Sequence, residues 1–398
     1  MKILVLNCGS SSVKYQLLDM VTERVMAKGL VERVGSKDAS FRHEKGNQKL
    51  QFNMDVPDHK VAIAKLLELL TDPQWGVLKS VKEIDGVGHR VVHGGEKFAC
   101  SVKLSPDVRK TLEECCKYAP LHNPANLLGI QAIDELLPEV TQVGVFDTAF
   151  HQTMPRKAYL YAIPYKFYEE NGIRRYGFHG TSHRYVSQRV AELMGRDIKT
   201  LKIVTCHLGN GASIAAVSGG KSIDTSMGFT PLEGLVMGTR SGDLDPAILV
   251  ALGSEYGYSF SDIDNLLNKK SGLLGLSGLS NDMRDIEAGM ENGHEGATRA
   301  FEVFTYRIIK YIGSYAAAMN GIDAIVFTGG IGENSAKVRE WVLKGLTYLG
   351  LELDEALNRS PEKEKLITKP GSKVQAWVVP TNEELVIARD TLALINEK

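Results

Sequence analysis

At 398 residues and 43.7 kDa the chain is longer than a single compact core supports, so two domains are expected. Its 47 Lys and Arg nearly cancel its 48 Asp and Glu, which excludes the broadly basic surface that nucleic acid selects and points to a small-molecule partner. Apolar residues make up 43% and charged residues 24%, ordinary for a soluble enzyme, and no run of about 18 apolar residues offers a membrane span.

The N-terminus starts with a charge and apolar residues, but Asn7-Cys8-Gly9-Ser10 interrupts the run before a signal-peptide core is complete, so residues 3–6 are read as a first strand. Five cysteines (Cys8, Cys100, Cys115, Cys116 and Cys206) are an odd number without CxxC pairs, which suits free thiols in the cytoplasm better than disulfides or a zinc cluster. The strand 3–6, the turn Asn7 to Ser11 and a second alternating strand over 12–18 form a hairpin. Its Gly/Ser backbone lets N–H groups approach phosphate oxygens, with Ser10 and Ser12 in the turn and Lys14 to neutralise charge.

Further along, amphipathic spacing predicts a helix over 60–70. Gly88-His89-Arg90-Val91-Val92-His93-Gly94-Gly95 sets Arg90 among glycines, Leu121-His122-Asn123-Pro124 reads as a polar turn, and a buried strand over 140–146 ends at Asp147. A domain boundary is expected near 150. Tyr176-Gly177-Phe178-His179-Gly180-Thr181-Ser182-His183 is another glycine-rich turn beside charge, followed by a helix over 183–194. Then the first device recurs about half a chain later: strand 203–208, turn Gly209-Asn210-Gly211, strand 212–217, a sign of duplicated architecture.

Met237-Gly238-Thr239-Arg240-Ser241-Gly242-Asp243 precedes a helix over 297–319. The strand 324–328 leads into Gly329-Gly330-Ile331-Gly332-Glu333-Asn334 and a helical pattern from Ser335, an arrangement in which a nucleotide can pack against backbone. Residues 358–373 read as a surface loop. After a strand at 374–379, Glu383 and Glu384 offer hard oxygen to Mg²⁺, or an acidic pair to a helix start. Strands interleaved with helices give an α/β protein. Gly220-Lys221-Ser222 is not a Walker A loop, because Ala215 stands where the glycine is required, and no GxGxxG follows the first strand.

Taken singly, Arg90 and Arg240 suit surface ion pairs, His122 and His179 suit hydrogen-bonded turns, and Asp147 suits a strand-end cap. Five such turns together with three glycine-rich ones point instead to phosphoryl transfer, which needs cations and hydrogen-bond donors around the moving group and a screening metal.

Several of these motifs, in this order and across essentially the whole chain, resemble the acetokinase family within the superfamily of sugar kinases, heat-shock chaperones and actin. The segments that carry the resemblance are Leu6 to Lys14, Gly88 to Gly95, Tyr176 to His183, His207 to Gly211, Gly238 to Asp243 and Thr328 to Asn334. It implies two actin-like (ribonuclease H-like) α/β domains facing across a nucleotide-binding cleft: 1–150 plus 385–398, and 151–384 with the adenosine pocket. It implies reversible transfer from ATP to a carboxylate, Mg²⁺ with Mn²⁺ as a substitute, and a cytoplasmic homodimer.

Position by position, the resemblance implies Asn7 and Glu383 at the metal. It places Lys14, Ser10 and Ser12 by the ATP phosphates and Arg90 on the substrate carboxylate. Asp147 matches the catalytic acid, His179 and Arg240 the transition-state stabilisers, and His122 a further phosphate-side contact. His207, Leu208, Gly209, Asn210 and Gly211 match a second phosphate loop. Asp282, Met283 and Arg284 with Gly330, Ile331, Gly332, Glu333 and Asn334 match the adenosine pocket, Met283 standing where the family often has Phe. Val92, Leu121, Phe178 and Pro231 match a small pocket around the substrate methyl. A propionate or short-chain carboxylate kinase is the nearest alternative and a sugar kinase the next. A non-catalytic ATP-binding module would leave Arg90, His179 and Arg240 without a task.

Overall fold

The computed structural model describes residues 1–397. The chain divides into two compact units, Met1–Phe150 together with the segment from Asn382 onward, and His151–Thr381. The second unit ends at Thr381, three residues short of the expected 384, for a local reason. Asn382 accepts a hydrogen bond from the Leu385 amide at 3.1 Å and so caps the helix Glu383–Asn396. Cap and acidic first turn therefore belong to the helix and to the first unit's sheet on which it packs.

That sheet has eight strands: β1 (Lys2–Cys8), β2 (Ser12–Asp19), β3 (Arg24–Glu32), β4 (Ser36–Lys45), β5 (Gln48–Val56), β6 (Gly86–Val91), β7 (Val102–Lys103) and β8 (Thr141–Phe146). Their order is β5-β4-β3-β2-β1-β6-β8-β7. The second unit carries six: β9 (Lys202–Leu208), β10 (Ala212–Ser218), β11 (Lys221–Thr225), β12 (Ala324–Thr328), β13 (Lys365–Leu366) and β14 (Gln375–Val378), ordered β11-β10-β9-β12-β14-β13. Pairing senses repeat strand for strand. In each unit two antiparallel ladders (β3-β2-β1, β11-β10-β9), preceded in the first unit by two more (β5-β4-β3), give way to two parallel ones (β1-β6-β8, β9-β12-β14) and a short antiparallel edge. The duplicated hairpins in the sequence are thus the leading strands of two sheets of one design, the actin-like arrangement.

The segment around Arg90 is a strand over Gly86–Val91, not a turn. Its glycines serve packing. A Cβ at Gly88 would lie 2.5 Å from Thr391 Oγ1 and 2.6 Å from Ile387 Cγ2, and one at Gly86 would collide with Ile395. Ile387, Thr391 and Ile395 recur every four residues on one face of the helix Glu383–Asn396, so the bare strand lets that helix approach the sheet closely. On the first sheet, the helix His59–Thr71, capped by Asp58, buries Ile63, Leu66 and Leu70 against Leu4, Leu6, Val13 and Leu17. Full burial of each such side chain contributes about 1.5–3 kcal/mol. All five cysteines are free.

Candidate active site

In open α/β sheets, side chains converge beyond the carboxyl ends of parallel strands. In the first unit Arg90, next to last in β6, pairs in register with Val145, and Asp147 follows β8, its amide donating to the Val91 carbonyl at 3.0 Å. The two side chains form a bidentate pair, Nε to Oδ1 at 3.0 Å and Nη2 to Oδ2 at 2.6 Å. Asp147 is 1% exposed, and its charge above all holds the Arg90 guanidinium more firmly protonated than usual. Asn7, Lys14, Arg90, Glu383 and Glu384 line one pocket together with Val5, Tyr15 and Ile387.

Within that pocket the two glutamates differ. Glu384 forms an ion pair with Lys14, which therefore already has an anionic partner. Glu383 Oε1 is enclosed and accepts no hydrogen bond among the described residues. Burial, only partly offset by Arg90, pushes its carboxyl up to about 7, with Asp147 and Glu384 raising it further. Both residues do open a helix, as the ordinary alternative had it, yet Glu383 is a carboxylate enclosed beside other carboxylates with no ligand from the chain. Ser10 is exposed and Ser12 half-buried at the β1–β2 turn, where the Gly9 amide donates to the Ser12 carbonyl at 2.8 Å.

His122 precedes the helix Asn123–Leu136 and is exposed. Neighbouring Leu121 is 70% exposed whereas Val92 is 8% exposed, so the structure does not place Leu121 in a shared apolar wall with Val92. Sequence reasoning missed Asn123 and Asn126 of the same helix. Asn126 accepts from the Val92 amide at 3.1 Å and donates to the Cys8 carbonyl at 2.8 Å, and Asn123 brackets His93 through its amide and carbonyl at 3.1 and 2.8 Å. These contacts fix the chain just after Arg90 to the end of β1. Two amide side chains on an otherwise apolar helix face were the available signal.

In the second unit His179 has φ 55°, a left-handed conformation uncommon outside glycine, and stands at the start of the helix Gly180–Leu193. Its ring stacks on His207 at 4.2 Å between centroids. A Cβ added to Gly211 would lie 3.3 Å from Arg240 Nη2 and 3.7 Å from His179 Cε1, so the absent side chain lets this turn meet both groups. The turn is pinned from outside, Gly238 donating its amide to the Asn210 carbonyl at 2.9 Å and Asn281 its side-chain amide to Asn210 Oδ1 at 3.0 Å.

Arg240 donates Nη1 to the Pro231 carbonyl at 2.9 Å and has no carboxylate partner among the described residues. Burial lowers its pKa. A desolvated guanidinium of this kind favours an anion. Phe178 is buried and Pro231 partly so; they belong to the second unit, Val92 and Leu121 to the first.

The expected adenosine residues occupy two helix starts. Asp282 caps the helix Met283–Glu291 and forms an ion pair with exposed Arg284. Met283, matched to the adenosine pocket, is buried at 4% exposure. It follows the cap on an amphipathic helix whose inward face also buries Ile286.

Gly330, Ile331, Gly332, Glu333 and Asn334 are helical within Gly329–Asn334, and Ser335 caps a separate helix, Ala336–Lys344. Glu333 folds its carboxylate back onto the Gly329 amide at 2.9 Å and Thr328 Oγ1 at 3.3 Å. Fully buried Arg339 donates to the carbonyls of Gly332 and Glu333 at 2.8 and 2.9 Å, and fixes this turn from behind. Its partner Asn358, within the expected surface loop, is buried in the short helix Glu355–Arg359. Among the described residues no cluster of three or more His, Cys, Asp or Glu is set to bind a metal, and no helix is long and apolar enough to cross a membrane.

The family model described as "Acetokinase family" matches residues 2–389. An acetate kinase from Pseudothermotoga lettingae is 58% identical over 395 residues, covering 99% of this chain and 98% of that protein. One from Clostridioides difficile is 57% identical over 397 residues, covering 99% and 100%. Among solved structures, acetate kinase from Porphyromonas gingivalis superposes with a TM-score of 0.96 at 52% identity, covering 99% of this chain and 100% of that one. A propionate kinase from Francisella tularensis superposes with 0.93 at 43% identity, covering 99% of each. The chain belongs to the acetokinase family.

Proposed function

We propose that the chain is an acetate kinase, transferring the γ-phosphoryl of ATP to acetate, reversibly, to give acetyl phosphate and ADP. In direct in-line transfer a carboxylate oxygen forms the new bond to phosphorus, the bond to the β–γ bridging oxygen breaks, and its electron pair leaves with ADP. Such a reaction asks for positioning and electrostatic stabilisation rather than covalent chemistry. The observation that carries this reading is Arg240: a partly buried guanidinium without a carboxylate partner among the described residues, beside His179 and the Gly209–Gly211 turn. Both side chains would donate to the equatorial oxygens as their charge rises in the transition state.

In the first unit Arg90 would orient the acetate carboxylate while Asp147 fixes the guanidinium plane from behind. Val92 would bound the methyl, with Phe178 and Pro231 further apolar candidates. The enclosed, unbonded Oε1 of Glu383 suits a cation, and Asn7 in the same pocket offers an amide oxygen. A divalent ion, Mg²⁺ or Mn²⁺, held by Asn7 and Glu383 would screen the nucleotide's phosphates. Lys14, Ser10, Ser12 and the segment His207 to Gly211 are the proposed phosphate contacts, and the turn Gly330 to Asn334 with Asp282 and Arg284 the proposed adenosine contacts.

A homodimer is proposed on the strongly exposed apolar side chains Val250, Tyr256 and Phe260, the last 94% exposed. A cytoplasmic location is proposed on five free thiols. The test is ADP release measured with acetate, with glycerol and with no acceptor. Release that requires acetate supports the proposal, while turnover indifferent to acceptor would favour a plain ATPase module.

A further inference from the structure

Behind His179 lies a chain of buried polar groups that the transfer chemistry does not use directly. Ser213 Oγ, on β10, stands between two imidazoles, 2.9 Å from His179 Nδ1 and 2.8 Å from His183 Nε2. The other ring nitrogen of His183, Nδ1, is 2.7 Å from Thr205 Oγ1 on β9. Thr205, Ser213 and His183 are each 0% exposed. The register of the two strands sets the spacing, since His207 pairs with Ser213 and Thr205 with Ala215.

Counting protons restricts what such a chain can do. A hydroxyl has one proton, so Ser213 donates to one imidazole and accepts from the other. His183 is held neutral, its pKa pushed well below 6.5 by burial and then by His151 and His207, so it too donates once and accepts once. Only two arrangements satisfy every contact. In the first, Thr205 donates to His183 Nδ1, His183 Nε2–H to Ser213, and Ser213 to His179 Nδ1, which puts the proton of a neutral His179 on Nε2. In the second, every donor reverses: His179 Nδ1–H donates to Ser213, Ser213 to His183 Nε2, and His183 Nδ1–H to Thr205. The second leaves the O–H of fully buried Thr205 without an acceptor among the described residues, so a neutral His179 takes the first. A doubly protonated His179 fits the second without charging His183.

We propose that Ser213 and His183 are positioning residues that set the protonation of His179, the Thr205–His183–Ser213 chain keeping a proton on His179 Nε2 in both its neutral and its cationic form. The inference rests on the role of His179 proposed above, as a donor to the transferring phosphoryl group. Without the chain, a neutral ring can carry its proton on Nδ1 instead and present a lone pair where a donor is required, which repels an anion. The left-handed backbone at His179 and its stacking on His207 restrict the ring's orientation, and Ser213 meets its Nδ1.

The test is Ser213→Ala, with Ser213→Thr as the variant that keeps the hydroxyl. Protein carrying ¹⁵N-labelled histidine is examined by two-dimensional NMR, the His179 signals being assigned by their loss in His179→Gln. In the unmodified protein His179 Nδ1 should show the shift of a hydrogen-bonded acceptor and Nε2 that of a protonated nitrogen. In Ser213→Ala both should move toward a mixture of tautomers. Turnover should fall by about ten- to a hundredfold with the KM for acetate and ATP little changed, a smaller loss than from deleting a transition-state donor outright. Ser213→Thr should recover both readouts. Unchanged His179 signals in a folded Ser213→Ala variant would overturn the relay. Full activity in His179→Gln would refute the role assigned to His179 and, with it, any use for the relay, so the two failures are read on different variants.

Discussion

Replacing Arg240 by alanine separates a functional guanidinium from a structural one. The side chain makes one hydrogen bond to the chain, at 2.9 Å to the Pro231 carbonyl, and faces no carboxylate among the described residues. Losing that bond costs about 1 kcal/mol of stability. Removing a desolvated cation, whose pKa burial already lowers, works in the opposite direction. Net stability should therefore change by no more than about 1 kcal/mol, a Tm shift of about 2–4 °C for a unit of this size. Turnover should respond very differently, because a transition-state guanidinium contributes about 10³-fold or more, equivalent to about 4 kcal/mol. Arg240→Lys keeps the charge without the planar fork and should fall between. The assay pairs acetate-dependent ADP release with thermal unfolding. Activity within a few-fold of the unmodified protein, or a collapse of stability that matches the loss of activity, would refute the reasoning.

Three further outcomes are expected. Glu383→Gln should raise the Mg²⁺ concentration for half-maximal activity far more than Glu384→Gln, because Glu383 offers an unbonded oxygen whereas Glu384 is engaged by Lys14; magnesium titrations of both variants check the order, and the reverse order would exclude the assignment. Val92→Ala should narrow the preference for acetate over propionate, which a packed wall sets at roughly 1–3 kcal/mol for one methylene, and specificity constants for both acids measure it. Burial holds His89 at about 4 against an ordinary 6.5, so below pH 6.5 the unfolded chain binds a proton that the folded chain refuses. Stability should then fall as pH drops from 6.5 toward 4, this residue contributing up to about 1.4 kcal/mol per pH unit, and urea unfolding of His89→Gln should show a shallower slope over that window.

The two leading hairpins were legible because each joins alternating apolar strands through a Gly-rich turn, a pattern local enough to survive without tertiary context. β6 was not, since the segment from Gly88 read as a turn until Ile387, Thr391 and Ile395 are seen to need the bare surface at Gly86 and Gly88. β3, β4 and β5 went unread, for their charged faces carry Arg42, Glu44 and Lys49 and dilute the apolar alternation. At the candidate site, Arg240 and His179 stood out as charges among glycines, and the fold brings both against Gly211. Met283 and Glu333 were matched to the adenosine pocket by resemblance, and only the structure shows how each packs: Met283 is 4% exposed and Glu333 caps its own turn. The chain through Ser213 joins residues thirty and more apart, brought together by the packing of the helix Gly180–Leu193 against β9 and β10.

The most direct measurement is identification of the product formed from ATP and isotopically labelled carboxylic acids. With Mg²⁺ present, the account predicts acetyl phosphate and ADP in equal amounts, the hydroxamate trapped from the product bearing the acetyl label. It also predicts a specificity constant for acetate above that for propionate and, further below, butyrate. ADP appearing with inorganic phosphate and no acyl phosphate, or equal constants for acetate and propionate, would contradict it.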